Sequence, residues 1–226
     1  MSAEISYREV VVGRNSKIWG VLRKNPAVSA RFKIALSHRE VSDFSFGAAD
    51  RIWIFSYSRL EEENSALLNR LVLVGARTVI YVSSASTIVE RVTRCYEYPR
   101  VKLRAEREAQ SKLNAGVLVL GLVFDRLEEL PGGINCATSY AQLTEFLLEP
   151  KWTDVDGKRT NLFIRVDRPF SSALEESLYR CYGLLIGWTR SWPCLLRPLD
   201  YVLRLIGIRW YGYLHLSNRL WNTTTS

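Results

Sequence analysis

Three serines, a tyrosine and a lysine near the middle of the chain have the types and spacing that proton transfer needs. Ser83, Ser84 and Ser86 close the apolar run TVIYVS and its continuation, and Tyr98 and Lys102 follow in the stretch YPRVKLRAE. On a helix running from Tyr98 to Leu113, Tyr98 and Lys102 stand at i and i+4 and share one face. Pro99 suits a first helical turn, which puts Tyr98 at the helix entrance. An ammonium beside a phenol favours the phenolate and lowers the phenol pKa from its usual ~10. The tyrosine then becomes a general acid or base at working pH. A serine hydroxyl at the preceding strand end can hold the oxygen whose proton moves. A plain surface helix on which Tyr and Lys happen to coincide accounts for the same residues.

Such a group needs strands that end beside it and a helix that starts there. Glu9–Gly13 (EVVVG), Arg31–Leu36 (RFKIAL), Arg51–Tyr57 (RIWIFSY) and Thr78–Ser83 (TVIYVS) read as short strands, and Gly116–Phe124 (GVLVLGLVF) as a strand buried on both faces. Glu61–Val74 reads as a helix with Leu67, Leu68, Leu71 and Val72 in an apolar stripe, and Tyr98–Leu113 as another. Almost wholly apolar strands alternating with helices indicate a parallel sheet covered on both sides. The expected fold is therefore α/β, a doubly wound parallel sheet of the Rossmann type. Past Pro131 the character changes. PGG marks a loop, Ser139–Leu148 reads as a helix and Asn161–Val166 as a further strand. From Ser172 onward Leu, Trp, Tyr and Arg predominate, with Pro193 and Pro198 dividing short helices.

In such folds the ligand lies at the carboxyl ends of the strands. The first strand runs into GRNSKIWG, Gly13–Gly20. A dinucleotide fingerprint of the GxxGxxG kind has glycine at its first, fourth and seventh positions. Gly13 keeps the first, Ser16 replaces the second, and Trp19 or Gly20 falls near the third. Helix N–H groups can still cradle a pyrophosphate, with Arg14 and Lys17 adding charge, although an ordinary βα-turn reads the same way. The second strand ends ALSHRE. An arginine there suits a 2′-phosphate, so Arg39 points to NADP ahead of NAD; the alternative is a solvated turn.

Composition narrows the classes. A chain of 226 residues, 47% hydrophobic and 24% charged, is folded rather than disordered and long enough for a large domain. Its net charge of +8 favours anionic partners, namely nucleotides, phosphates or acidic lipid. The basic residues are dispersed rather than gathered into a recognition motif, which disfavours nucleic acid. Cys95, Cys136, Cys181 and Cys194 form no CxxC pair and His38 lies far from His215, so no metal site or disulfide framework is expected. The start MSAEISYREVVVG has no basic region followed by an apolar core, so a signal peptide is not expected and a cytoplasmic location is. Near the other end, Trp210, Tyr211, Tyr213 and Trp221 interleave with Arg204, Arg209 and Arg219. That segment has no uncharged span of about eighteen residues and is not expected to cross a bilayer. It could lie in the interface of an anionic membrane, or pack on the domain or on a second copy in a homodimer.

The stretch LLNRLVLVGARTVIYVSSAST followed by YPRVKLRAE, then GVLVLGLVFD and VDRPFS, resembles the short-chain dehydrogenase/reductase superfamily, in its extended branch of sugar-nucleotide epimerases, dehydratases and reductases. The resemblance implies that Tyr98 donates or accepts the proton, that Lys102 lowers its pKa and bonds the nicotinamide ribose, and that Ser84 positions the reacting oxygen. It implies a cofactor site from Gly13, Arg14, Asn15, Ser16, Ile18, Arg39, Ser56, Tyr98, Lys102, Gly121 and Val123. Substrate contacts fall to Ser84, Ser86 and Arg165, with Arg168 and Arg180 as further arginines suited to a diphosphate. The implied organisation is a dinucleotide-binding region over 1–135 and a small substrate lobe over 136–226. The implied activity is NAD(P)-dependent reduction or epimerisation of a nucleotide-linked sugar; a non-catalytic NADP sensor or scaffold is the alternative. The chain departs from the pattern in its degraded glycine fingerprint, in FSYSR (Phe55–Arg59) where small residues are expected, and in its shortness. Asn64 and Asn69 both compete for the place of the family's helix asparagine.

Overall fold

The computed structural model describes residues 7–94, 96–149, 157–166, 169–189, 195, 198, 201–202, 205 and 212–224. The strands are β1 (Arg8–Val12), β2 (Ile34–Leu36), β3 (Asp50–Ile54), β4 (Thr78–Ser84), β5 (Gly116–Leu120), β6 (Leu122–Phe124), β7 (Ala137–Ser139) and β8 (Arg159–Leu162). The helices are α1 (Lys17–Leu22), α2 (Pro26–Arg31), α3 (Glu61–Leu73), α4 (Glu97–Leu113), α5 (Tyr140–Leu148), α6 (Ala173–Thr189) and α7 (Gly212–Thr224).

A six-stranded sheet has the order β2-β1-β3-β4-β5-β8, and β1 pairs in parallel with both β2 and β3, as β3 does with β4. Alternate residues enter opposite layers, as the two-residue repeat of a strand requires. On one side Val10, Val12, Ile52, Ile54, Val79 and Tyr81 pack with Leu67, Leu68 and Leu71 of α3 and Ala105, Ala109 and Leu113 of α4. On the other, Trp53 meets Phe32 edge-on at 6.0 Å, and Phe32 meets Trp19 of α1 at 5.7 Å. Both faces are covered, which is why these strands read as unbroken apolar runs. The order reverses direction between β1 and β3, with a single strand beyond β1 on that side where the 3-2-1-4-5-6 arrangement has two. The segment between β2 and β3 holds only a 3-10 turn, Glu40–Asp43, rather than a helix and a further strand.

Two local expectations change. RFKIAL is not all strand: Asn25 accepts from the Ala27 and Val28 amides, Pro26 opens α2, and that helix runs to Arg31 before β2 begins at Ile34. GVLVLGLVF breaks at Gly121, because β6 pairs with β7 in a separate two-stranded sheet. A Cβ on Gly121 would stand 2.6 Å from the Cys136 carbonyl oxygen, and its amide donates to Thr138 Oγ1 at 2.8 Å. Only glycine allows two backbones to meet so closely.

The chain forms two compact units that alternate along it. The first comprises the chain up to Ser83, with Val101–Val119 and Tyr140–Leu162; the second comprises Ser84–Arg100, Leu120–Ser139 and the chain from Phe163. Within the second, α7 packs on the 3-10 segment Ala85–Arg91, and Ile88, Val89, Tyr96 and Leu216 form its apolar centre.

Candidate active site

In the first unit the ends of β1, β2 and β3 converge. Gly13 has φ +116°, and a Cβ there would lie 2.7 Å from the Ser56 amide nitrogen. The chain turns after β1 in a conformation that other residues rarely adopt and at a distance that they cannot reach. The Gly13 and Arg14 amides donate to the Leu36 carbonyl at 2.8 and 3.0 Å. Arg14 pairs with Glu40 at 3.1 Å, Glu40 accepts from the Ser37 amide at 2.7 Å, and His38 hydrogen-bonds Ser56. Asn15 and Arg39 are exposed and Ile18 is half-buried. Ser16 caps α1 by accepting from the Trp19 amide. Trp19 itself is buried against Phe32 and Phe55, so an indole fills the space that the third glycine of a fingerprint leaves open.

Lys102 is a buried cation of this unit. Its Nζ lies 4.6 Å from the Tyr81 ring centre and 5.2 Å from that of Tyr57. Burial pulls its pKa down to about 7, while Glu106 one turn along α4 acts to raise it. Glu106 is in turn held by Ser83 Oγ at 2.5 Å and by Arg159. The tyrosine rings face the ammonium and the carboxylate offsets the loss of water around it. The sequence reading missed all three, although Glu106 was visible at i+4 from Lys102.

In the second unit Ser84 caps the segment Ala85–Arg91, its Oγ 2.9 Å from Ser86 Oγ. Tyr98, near the start of α4, hydrogen-bonds Ser84, and its ring lies 5.7 Å from that of Tyr213 on α7. Burial raises the phenol pKa above its usual value and the Ser84 bond only partly offsets this. The direction is opposite to the lowering expected from Lys102. In this structure the phenol is held protonated. The α7 helix fixes the serine segment, since Ser217 Oγ and Trp221 Nε1 both donate to the Ala85 carbonyl, at 3.0 and 2.9 Å. Nothing local in the sequence pairs these residues, more than a hundred positions apart.

The remaining predicted residues divide. Gly121 and half-buried Val123 fall in the second unit, Gly121 just before β6 and Val123 within it, opposite Thr138. Arg165 is exposed, Arg180 pairs with Glu176 at 2.6 Å, and Arg168 lies outside the described residues. Asn64 is structural: its side chain donates to the Ser58 and Leu60 carbonyls and accepts from the Ser58 amide, closing the turn into α3. Asn69 accepts from Lys112. Within the second unit a cavity is lined by Asn135, Asn218 and Asn222 together with Phe170 and Tyr179. Among the described residues no group of His, Cys, Asp and Glu could hold a metal ion.

No family model matches the sequence, and no curated protein matches it. Solved structures do resemble the fold. The chuY protein of E. coli CFT073 superposes with a TM-score of 0.53 at 13% identity, over 71% of this chain and 97% of that one. A short-chain dehydrogenase/reductase of Veillonella parvula, crystallised with NADP, gives 0.50 at 11% identity, over 69% and 93%. A Bacillus halodurans protein grouped with the NAD-dependent epimerases/dehydratases gives 0.50 at 16% identity, over 75% and 99%. The Rossmann-type parallel sheet is what the chain shares with these proteins. At these identities the likeness extends to the fold and not to the chemistry, which rests on this chain's own residues.

Proposed function

We propose that the protein is an NADP-dependent oxidoreductase that reduces a keto group on a nucleotide-linked sugar. The observation that carries the reading is the Ser84–Tyr98 hydrogen bond at the head of α4, with buried Lys102 one turn further along the same helix. The residues after β1 fit a dinucleotide: Gly13 supplies the close turn, and Arg14 and Asn15 stand exposed beside it with groups able to meet phosphate. Exposed Arg39, past the end of β2, suits a 2′-phosphate. Bound there, NADPH supplies the hydride.

The chain's own groups do the rest. Tyr98, kept protonated by burial, holds the proton at Oη and gives it to the carbonyl oxygen. Ser84 Oγ donates to that oxygen and holds it near the phenol. Lys102 is a buried cation one turn further along the same helix, and Glu106 keeps it protonated more of the time than burial alone would allow. The amides and aromatic faces around Asn135, Asn218, Asn222, Phe170 and Tyr179 suit sugar hydroxyls and ring C–H groups, which supports a sugar as the substrate. We assign the dinucleotide-binding role to the region 1–135 and the substrate-binding role to 136–226.

NADPH oxidation followed by absorbance against a panel of nucleoside-diphosphate keto sugars tests this. Turnover with at least one sugar, lost when the nucleoside diphosphate is removed, is the expected result. NADPH binding with no turnover across the panel would favour a sensor that keeps the fold, and retention of a tightly bound cofactor through purification would favour epimerisation over net reduction.

A further inference from the structure

Helix α7 carries two neighbouring stripes, each built on an i, i+4 spacing. Ser217 and Trp221 make the first and hold the Ala85 carbonyl, so the segment after Ser84 is fixed to this helix. Asn218 and Asn222 make the second and line the cavity of about 540 Å³ within the same unit. Asn218 is 2% exposed and builds the wall itself. Its Oδ1 accepts from the Asn135 amide at 2.9 Å, and its Nδ2 donates to the Gly133 carbonyl at 2.5 Å.

The other two asparagines keep groups to spare. Asn135 Nδ2 donates to Asn222 Oδ1 at 2.8 Å, which joins the two carboxamides. Asn135 Oδ1 is shielded from water and has no hydrogen-bond partner among the described residues. An acceptor left so is costly, and a bound donor removes the cost. Asn222 gives its Oδ1 to the joining bond and keeps its Nδ2 as a donor at an exposed position. One acceptor and one donor on joined carboxamides match the N–H and the carbonyl of a secondary amide. The rest of the lining is uncharged among the described residues. Phe170 and Tyr179, their ring centres 5.1 Å apart and their planes at 51°, form with Val166 an apolar corner. A phosphate or carboxylate would enter there without a cation to meet it. A planar base would find tilted rings in place of a parallel slot. A hydroxyl would answer the acceptor and leave the apolar corner wet.

We propose that this cavity takes the acetamido group of an N-acetylated amino sugar. The N–H donates to Asn135 Oδ1, the carbonyl accepts from Asn222 Nδ2, and the methyl lies against Phe170 and Val166. The inference rests on the reading of the cavity as the sugar's site, and it narrows the substrate class within that reading. Saturation-transfer difference NMR of the intact chain tests it without cofactor or turnover. The probes are the methyl glycoside of N-acetylglucosamine and, as control, that of glucose. The acetyl methyl protons receive the strongest transfer, and the acetamido sugar binds about tenfold more tightly, as two added hydrogen bonds and a buried methyl imply. Asn135→Ala removes the acceptor and keeps the backbone amide that meets Asn218. It brings the two affinities to within about twofold of each other and leaves that of the glucose glycoside unchanged. Asn222→Ala, at an exposed position, abolishes the same preference and serves if the Asn135 variant fails to fold. Equal binding of the two sugars by the parent, or a preference that survives both substitutions, would overturn the proposal and leave the sugar reading in place. Binding of neither sugar would overturn both. Selective binding by a protein that turns over no keto sugar would uphold the proposal and remove the activity.

Discussion

The two units bury polar groups by different chemistry. The first buries charges and pairs them. Glu9 sits between Arg31 at 3.0 Å and the Trp53 indole at 2.8 Å, Asp50 takes a two-pronged hydrogen bond from Arg8 at 2.6 Å, and Glu106 is held by Ser83 and Arg159. The second buries neutral groups. Ser217, Asn218 and Thr138 are hydrogen-bonded and inaccessible, and His215 is kept uncharged, its pKa pushed down to about 4 by burial first and Arg219 second. A unit whose strand ends are proposed to meet phosphate needs fixed charges. A unit that cradles a neutral sugar needs amides, hydroxyls and aromatic faces. Each side of the contrast can be attacked separately.

The largest expected effect comes from the phenol. Tyr98→Phe keeps the ring that meets Tyr213 and removes the proton donor, so the fold persists while turnover falls by ~10²–10⁴-fold. Near-parental turnover with any competent substrate would remove Tyr98 from the mechanism.

Lys102 sharpens the first unit's side. Its folded pKa, about 7, lies below the ordinary lysine value of 10.5. Between those two pH values the unfolded chain holds a proton that the folded chain has shed, so stability rises with pH across that window and the full cost is present below it. Lys102→Met should therefore raise stability by on the order of a few kcal/mol at and below neutral pH, with little gain near pH 10. Glu106 keeps Ser83 and Arg159 as partners in that variant. Urea titrations at three pH values measure it. A variant destabilised at every pH would mean that the ammonium is structurally required.

His215 tests the second unit's side. Its folded pKa is also depressed, below the ordinary 6.5, so the unfolded chain takes up a proton between about pH 6.5 and 4 that the folded chain refuses. Stability falls as pH drops through that window. His215→Gln should flatten the fall, read as acid unfolding of the near-ultraviolet signal of the tyrosines around it. An unchanged acid midpoint would place the sensitivity elsewhere.

The smallest effect is at Arg39. NADPH should bind more tightly than NADH, and Arg39→Ala should erase most of a roughly tenfold gap, about 1.4 kcal/mol. Equal affinities in the parent would reassign Arg39 to the solvated turn.

The doubly wound class was legible because parallel strands covered on both faces cannot avoid reading as apolar runs, and β1, β3, β4, α3 and α4 appear close to where periodicity puts them. The start of α2 was legible too, in the Asn25-Pro26 cap, but the apolar run beginning at Phe32 masked it. The break at Gly121 was not, since the close approach to Cys136 is a tertiary fact. Neither was the length of α6, a single helix of 17 residues where short ones were expected. At the candidate site, type and spacing singled out Ser84, Tyr98 and Lys102. The environment of each was hidden, because burial sets the direction of a pKa shift and no local pattern states which tyrosine rings will surround an ammonium. Of the aromatic and basic residues near the C-terminal end, Tyr213, Arg219 and Trp221 turn out to hold the second unit together, while Arg204, Arg209, Trp210 and Tyr211 lie outside the described residues.

The central claim is that the strand ends around Gly13, Ser56 and Arg39 form a nicotinamide dinucleotide site. Isothermal titration of the purified protein with NADPH, and separately with NADH, measures that directly. The account predicts saturable one-to-one binding with NADPH the tighter of the two. Absence of heat and of competition for either nucleotide would contradict it, leaving a protein that has kept the fold without the cofactor.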